Sequence, residues 1–311
     1  MKVAIIVGSG TPEASDIMSS ARLIETTLCQ LDHSTTIIHW HPTLSDAPQC
    51  LAELCSCQAA FPLISGIEGL LEAIGIPYIG SDSTAAGIAA NKGILNDLLV
   101  VWGFGKTRYA RLLGSESFSA QSIEHLKYPL FVKPARLGAS LGIEKVEDST
   151  EILSVIARVR EFDSELVIEE AVVGHEAEVA VIAGATEVIA SQPGIVKLPP
   201  EVRWHTYAAK DLSRIIVPSD LSAEVCEQLQ ALARELTRRL GASGALRLDF
   251  FVTADNTILV GEINCLPGQG RESNFPRLFE ESGINRQEQM HRLLCSAFES
   301  ANYGNRNKTK F

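Results

Sequence analysis

Arg247-Leu248-Asp249-Phe250-Phe251 and Gly261-Glu262-Ile263-Asn264 are the most informative stretches of the chain. Both sit in apolar runs, and Thr253-Ala254-Asp255-Asn256-Thr257 between them reads as a hairpin turn. Side chains alternate faces along a strand, so Arg247 shares a face with Asp249, and Glu262 with Asn264. Pairing the strands brings two carboxylates and an amide oxygen together, with a guanidinium beside them. Hard oxygen donors of this kind suit Mg²⁺, which prefers carboxylates plus the phosphates of a substrate. The plainer reading is a strand pair whose polar side faces water. Leu266-Pro267-Gly268-Gln269-Gly270 weighs against it, because this loop follows at once and can present backbone N–H donors.

The chain has 311 residues, enough for two or three subdomains. Its hydrophobic content of 46% and charged content of 21% are ordinary for a globular protein. A net charge of −11 argues against a nucleic-acid surface, which needs clustered Lys and Arg. The basic stretch at 306–310 reads as a solvated tail. A small positive pocket for nucleotide phosphates remains compatible with the overall acidity. The seven cysteines are odd in number, and no secretory signal precedes a first strand starting at Lys2. Reduced thiols in a cytoplasmic protein are therefore expected. Cys50, Cys55 and Cys57 are spaced like metal ligands, but no second pair or nearby His completes a set of four. No apolar run approaches the roughly 20 residues of a bilayer span, so no membrane partner is expected.

Residues 3–7 form a continuous apolar strand ending in Gly8-Ser9-Gly10, followed by a helix to about Leu31 and a strand over 35–40. Glu13 stands where a dinucleotide fingerprint needs its third glycine, so that cofactor site is not expected. A third strand over 61–64 and the segment 76–80 close this unit near residue 82. One helix is expected over 83–101, carrying Lys92, then a strand over 129–133. Asp148 and Glu151 resemble a capping box opening a helix to about Arg160. A strand over 166–170 ends the middle unit. A hairpin over 178–182 and 187–190 follows. Ser222 opens an amphipathic helix with Val225, Leu229, Leu232, Leu236 and Leu240 on one face and Gly241 at its end.

Gly138-Ala139-Ser140-Leu141-Gly142 joins two strand-like stretches, and its glycines let backbone N–H groups approach phosphate oxygens. Lys133-Pro134 lies just before it, and Lys92 could supply a second positive charge. Leu166-Val167-Ile168-Glu169-Glu170-Ala171-Val172 could lay a strand edge along an adenine, with Glu176 accepting from ribose hydroxyls. The order is lysine, lysine, glycine loop, Glu-bearing strand, carboxylate hairpin.

In that order, over nearly the whole chain, the sequence resembles the D-alanine–D-alanine ligases of the ATP-grasp superfamily. The resemblance is most specific at Val132-Lys133-Pro134, 138–142, Ile168-Glu169, Arg247-Leu248-Asp249 and Glu262-Ile263-Asn264 with Pro267-Gly268. It implies an α/β chain of α+β subdomains in an ATP-grasp fold. Three subdomains would cover 1–82, 83–173 and 174–311, with the nucleotide between the central and C-terminal ones. Lys92 and Lys133 would hold ATP phosphates under a lid formed by Gly138, Ala139, Ser140 and Gly142. Glu169, Glu170, Val172 and Glu176 would hold the adenosine, and Lys210 would reach the terminal phosphate. Asp249, Glu262 and Asn264 would bind two Mg²⁺ ions, or Mn²⁺ in their place. Arg247, the Gly268 N–H, Lys210 and Ser140 make up the catalytic set implied, and Cys265 is a bystander. The resemblance also implies a homodimer.

The departures cluster where amino acids would bind. Glu13 matches the family's ammonium-binding glutamate, but Ala139 and Asp211 replace its serine and tyrosine partners. A His-Gly…Gly-Glu-Asp-Gly segment is missing after the third strand, and Gln269-Gly270-Arg271 replaces a Met-Thr pair. Ser273 still matches a substrate-binding serine, and Arg271 could pair with a substrate carboxylate. The expectation is an ATP-dependent C–N ligase that joins an amino acid to a carboxylate or ketone other than D-alanine. Such chemistry belongs to specialised metabolism, as in mycosporine-like amino acids or amide antibiotics. A D-alanine–D-alanine ligase and a non-catalytic nucleotide-binding protein are the alternatives.

Overall fold

Val3, Ala4, Ile5, Ile6 and Val7 are wholly buried because their strand is the middle one of a parallel sheet covered on both faces. The computed structural model describes residues 1–8, 14–40, 46–114, 116–197 and 214–308. In the first sheet β1 (Lys2–Gly8), β2 (Ser34–Trp40) and β3 (Ala59–Pro62) lie in the order β2-β1-β3. Helices α1 (Ala14–Gln30), α2 (Ala47–Cys55) and α3 (Glu68–Ile74) accompany them. The third strand begins at Ala59, two residues before the expected start, since Ala59 and Ala60 pair with Val3 and Ala4. Helix α2 was not expected; its apolar side places Cys50, with Cys57 just beyond it, against the core around Ile38 and Leu54.

The single helix expected over 83–101 is two, α4 (Ser83–Ala90) and α5 (Lys92–Val101). Asn91 separates them in an extended conformation, and its side chain accepts from the N–H groups of Gly93 and Ile94. An Asn competes for backbone donors in this way and starts a new helix rather than continuing the old one. Lys92 therefore stands in the first turn of α5. The middle sheet is antiparallel and runs in the order β4-β7-β5-β6, from β4 (Tyr109–Leu112), β5 (Leu130–Pro134), β6 (Glu144–Val146) and β7 (Leu166–Glu170). Helix α6 (Ile152–Val159) starts later than the capping-box reading allows. The Asp148 carboxylate is turned onto the N–H and hydroxyl of Thr150, closing a local turn, and Glu151 accepts from the Glu147 N–H.

The last sheet carries β8 (Gly174–Ala183), β9 (Val188–Ala190), β10 (Gly194–Lys197), β11 (Arg214–Ile216), β12 (Gly244–Thr253) and β13 (Ile258–Asn264). Its path is β11-β10-β8-β12-β13, with β9 also on β8. Helix α7 (Ala223–Leu240) begins with the Ser222 hydroxyl accepting from the Val225 N–H and ends at Gly241 in the left-handed region, as its sequence dictates. Its stripe of Val225, Leu229, Leu236 and Leu240 is buried against β8, β12, α4 and α5. Helices α8 (Asn274–Glu281) and α9 (Arg286–Lys308) complete the described chain. Among the described residues no helix is long and apolar enough to cross a membrane.

Packing does not follow the boundaries drawn on the sequence. Ala85, Ala89, Leu95 and Leu99 of α4 and α5 belong to the core of the last sheet, not the middle one. Val3, Ile5, Val7 and Phe61 of the first sheet share a core with Ala180, Ile182, Phe275, Phe279 and Leu293. This joint is tight at Gly244, where a Cβ would lie 2.5 Å from the Gly80 nitrogen and φ is +77°. Ser81 and Ser243 flank it: the Ser81 hydroxyl donates to the Ser243 carbonyl at 3.0 Å, and the Ser243 hydroxyl to the Gly80 carbonyl at 2.8 Å. A methyl group at position 244 meets backbone, which cannot swing away, on a conformation that disfavours L side chains. Gly244→Ala is expected to destabilise the protein by roughly 2–5 kcal/mol, read as a lowered urea midpoint with unchanged slope.

Candidate active site between the two antiparallel sheets

Strand β12 lies between β8 and β13, and its register stacks three carboxylates in one row. Asp249 is opposite Glu178 on β8 and Glu262 on β13. Arg247, two residues earlier on the same face, is opposite Asn264. Arg247 Nε donates to Asp249 Oδ1 and Nη2 to Oδ2, each at 2.8 Å, and Nε lies 3.4 Å from Glu178 Oε1. Glu178 Oε2 accepts from Asn274 Nδ2 at 2.8 Å. The hairpin reading of Arg247, Asp249, Glu262 and Asn264 is thus reproduced in space. Glu178 was missed as a member of it, although its spacing from Glu176 on a strand placed both on that face.

Crowded carboxylates on a buried face hold their protons more tightly. Burial, with the charges of Asp249 and Glu178, pushes Glu176 up to about 8. Burial, together with Asp249, also pushes Glu178 up, against the pull of Arg247 and Asn274. Burial disfavours the Arg247 cation, yet Asp249 and Glu178 outweigh it and raise its pKa well above the usual value.

The facing wall is basic. Lys133 on β5 donates to Glu169 Oε2 at 2.6 Å, and Lys106 lies 3.0 Å from Glu169 Oε1. Asn96 Nδ2 donates to Oε1 as well, at 2.9 Å. Burial would raise the Glu169 pKa, but Lys106 and Lys133 hold it far below the carboxylate range. No local signal points to Lys106, which sits after Gly105 with no periodic pattern around it. Lys92 Nζ donates to the Leu137 carbonyl at 2.6 Å and lies 3.8 Å from Glu262 Oε1, bridging the two walls. Lys92, Lys133, Glu169, Glu176, Asp249 and Glu262 are therefore brought to one cleft.

The loop over 138–142 departs from its sequence reading in detail. Gly142 has φ +72° and no room for a Cβ beside Pro134 and Phe162, whereas Gly138 meets nothing within 4 Å. The left-handed residues between them are Ala139 and Ser140, at φ 54° and 58°. Non-glycine residues held this way cost about 1 kcal/mol or more each, a feature concentrated at ligand clamps. Beyond β13, Gly268 approaches Ser273 so closely that a Cβ would lie 2.7 Å from its Oγ. That hydroxyl accepts from the Gly270 N–H at 3.0 Å, and the buried Gln269 has its carbonyl bonded by Arg286.

Two sequence readings need correction. Strand β7 is interior, paired with β4 and β5, so residues 166–170 offer no strand edge to a base, and the next N–H, that of Ala171, donates to the Pro129 carbonyl at 3.0 Å. Glu170 alternates to the face opposite Glu169 and accepts from the Lys127 N–H at 2.9 Å, so its side chain does not enter the cleft. Arg271 is exposed at the loop after Gly268. The expectations for Glu13, Lys210 and Asp211 lie outside the described residues.

Asp249, Glu262 and Asn264 suit a hard divalent cation: two carboxylates and an amide oxygen on one face, with the Glu262 side chain 42% exposed. Asp249 accepts from Arg247, and Asn264 Oδ1 from the Leu266 N–H at 2.9 Å; a carboxylate or amide oxygen carries more than one lone pair. Among the described residues no three His, Cys, Asp or Glu side chains could hold a metal by themselves. The arrangement fits an ion that takes its remaining ligands from phosphates and water.

Residues 102–295 match the family model described as the D-ala D-ala ligase C-terminus, a span containing every strand of both antiparallel sheets. The chain belongs to the D-alanine–D-alanine ligase family. It is an ATP-grasp carboxylate–amine ligase. The D-alanine–D-alanine ligase of Staphylococcus carnosus (strain TM300) is 35% identical over 269 residues, 81% of this chain and 74% of that protein. The solved D-alanine–D-alanine ligase of Bacillus anthracis complexed with ATP superposes with a TM-score of 0.85 at 22% identity, covering 98% of this chain and 99% of that one. The VanG D-Ala:D-Ser ligase of Enterococcus faecalis gives 0.79 at 23% identity, covering 95% and 99%.

The acidic face of this ligase has a measurable signature. A carboxyl whose folded pKa is raised keeps a proton that the unfolded chain has released. For Glu176 that window runs from its ordinary 4.5 to about 8, and stability falls as pH rises through it. The metal-free protein is expected to lose melting temperature between pH 5 and 8. Glu176→Gln should flatten that slope, a difference on the order of a few kcal/mol across the window.

Proposed function

We propose that this ligase condenses two amino acids with consumption of ATP, and that D-alanine is the substrate to try first. The observation that carries the reading is the row Arg247, Asp249, Glu262 and Asn264 set opposite Lys92 and Lys133. The names of the family relatives support D-alanine over the specialised acceptor that the sequence departures suggested.

A carboxylate resists attack by an amine until one of its oxygens can leave. The carboxylate oxygen of the first amino acid attacks the γ-phosphorus of ATP, giving an acyl phosphate and ADP. Lys92 and Lys133 hold the phosphate oxygens, Val172 and Glu176 the adenosine, and Ala139 and Ser140 cover the phosphates from the loop. The amine of the second amino acid then attacks the acyl carbon. Phosphate departs from the tetrahedral intermediate and the amine loses its proton. Arg247 Nε and Nη2 are engaged by Asp249, leaving Nη1 to meet the developing oxyanion together with the Gly268 N–H. Ser273 lies beside Gly268 to meet the substrate. Asp249, Glu262 and Asn264 would hold Mg²⁺, which when bound neutralises phosphate charge.

A second reading, ligation of a different amine or acceptor, is favoured by the sequence departures at Ala139, Asp211 and Gln269-Gly270-Arg271. ADP release from Mg·ATP with D-alanine as the only amino acid separates the two. Release with D-alanyl-D-alanine formed supports the first; ATP bound without turnover directs the search to other amines and carboxylates. For either substrate, Arg247→Ala is expected to lower kcat by about 10²–10³-fold, the cost of one lost oxyanion donor. The dissociation constant for ATP should change by only a few-fold, checked by titration beside the steady-state rates.

A further inference from the structure

Glu169 is 5% exposed and receives three donors: Asn96 and Lys106 on Oε1, Lys133 on Oε2. The two lysines are not equivalent. The Lys106 side chain is 2% exposed, that of Lys133 20%. Lys106 is also fixed through its backbone. The Gly105 carbonyl accepts from the Val260 N–H at 2.8 Å, and residue 106 bridges to Val260 of β13. Its main chain thus belongs to the last sheet while its ammonium pairs with a carboxylate of the middle one. Lys133 stands on β5 at the more open end, where Lys92 and the 138–142 loop also converge.

We propose that Lys106 is a positioning residue of the nucleotide site: it is the resident counter-ion of Glu169 and so frees Lys133 to turn onto the nucleotide. A buried carboxylate stripped of its only cation is strongly destabilised, whereas one that keeps a cation and a neutral donor is not. Two ammonium groups on one carboxylate leave an excess positive charge, and an anionic ligand can claim it. With Lys106 present, Lys133 can leave Glu169 and the carboxylate stays paired with Lys106 and Asn96. Without it, every interaction of Lys133 with a phosphate would leave Glu169 without a cation, and the cost would appear as lost affinity. The inference rests on reading this cleft as the ATP site.

The test is titration of ATP with Mg²⁺ into the full-length protein, its Lys106→Met variant, Glu169→Gln, and the double variant. Lys106→Met is expected to weaken ATP binding at least tenfold, with the amine KM unchanged within twofold. In the Glu169→Gln background the same substitution should cost less than twofold, because no buried charge then needs a cation. A purely structural role for Lys106 would cost the same in both backgrounds, and that result overturns the proposal, as does unaltered affinity in Lys106→Met. If Lys106→Met does not fold, comparing Glu169→Gln with the double variant still decides it: equal affinities support the proposal and a tenfold gap refutes it. Failure of the unsubstituted protein to bind ATP at all would refute the nucleotide-site reading itself, and the inference with it.

Discussion

The register of β12 between β8 and β13 is the constraint on which the site depends. Because the side-chain repeat of a strand is two residues, a slip of one position on β12 would send Arg247 and Asp249 to the opposite face and bring Leu246, Leu248 and Phe250 out of the core. The apolar half of the strand is therefore what fixes the polar half. Leu246, Leu248, Phe250 and Val252 are buried under α7, α4 and α5, and that packing holds a row of like charges that would otherwise separate. Arg247 lies where it can offset two of them at once.

A second constraint is charge compensation across the cleft. Carboxylates crowd one wall and lysines the other, and each buried ion has a counterpart: Arg247 for Asp249 and Glu178, Lys106 and Lys133 for Glu169. Lys92 reaches from the first turn of α5 toward both the Leu137 carbonyl and Glu262. A triphosphate with a divalent cation carries charges that match these two walls. Its entry would exchange protein ion pairs for ligand ion pairs and leave no buried charge alone. The strained turn at Ala139 and Ser140 lies over the same end of the cleft, next to the Lys92–Leu137 contact.

Much of this could be read from the chain before folding. The hairpin of β12 and β13 announces itself by two apolar runs about a polar turn, and α7 by a serine cap, a leucine stripe and a terminal glycine. β1 and β7 are short apolar runs whose burial follows from composition. Errors fell where a local signal had two outlets. Asn91 ends α4 and caps α5, so a continuous helical period hid a break. Asp148 spent its carboxylate on Thr150 instead of a helix start. Short strands such as β4, β10 and β11 have too few residues for a period to show.

The chemistry available is written in the chain: an arginine and an aspartate two apart on a strand, a glutamate and an asparagine two apart on the next, two lysines and a glycine-bounded loop. Local periodicity and capping suffice for these, because each depends on neighbours a few residues away. Which groups meet depends on how the sheets assemble. Glu178 joins Arg247 through the pairing of β8 with β12, and Glu170 is turned from the cleft by strand alternation. Lys106 reaches Glu169, 63 positions along the chain by their numbers, through a backbone bridge to β13. Such pairings are set by sheet order and by the burial of apolar faces far apart in the chain, and no local pattern of residues encodes them.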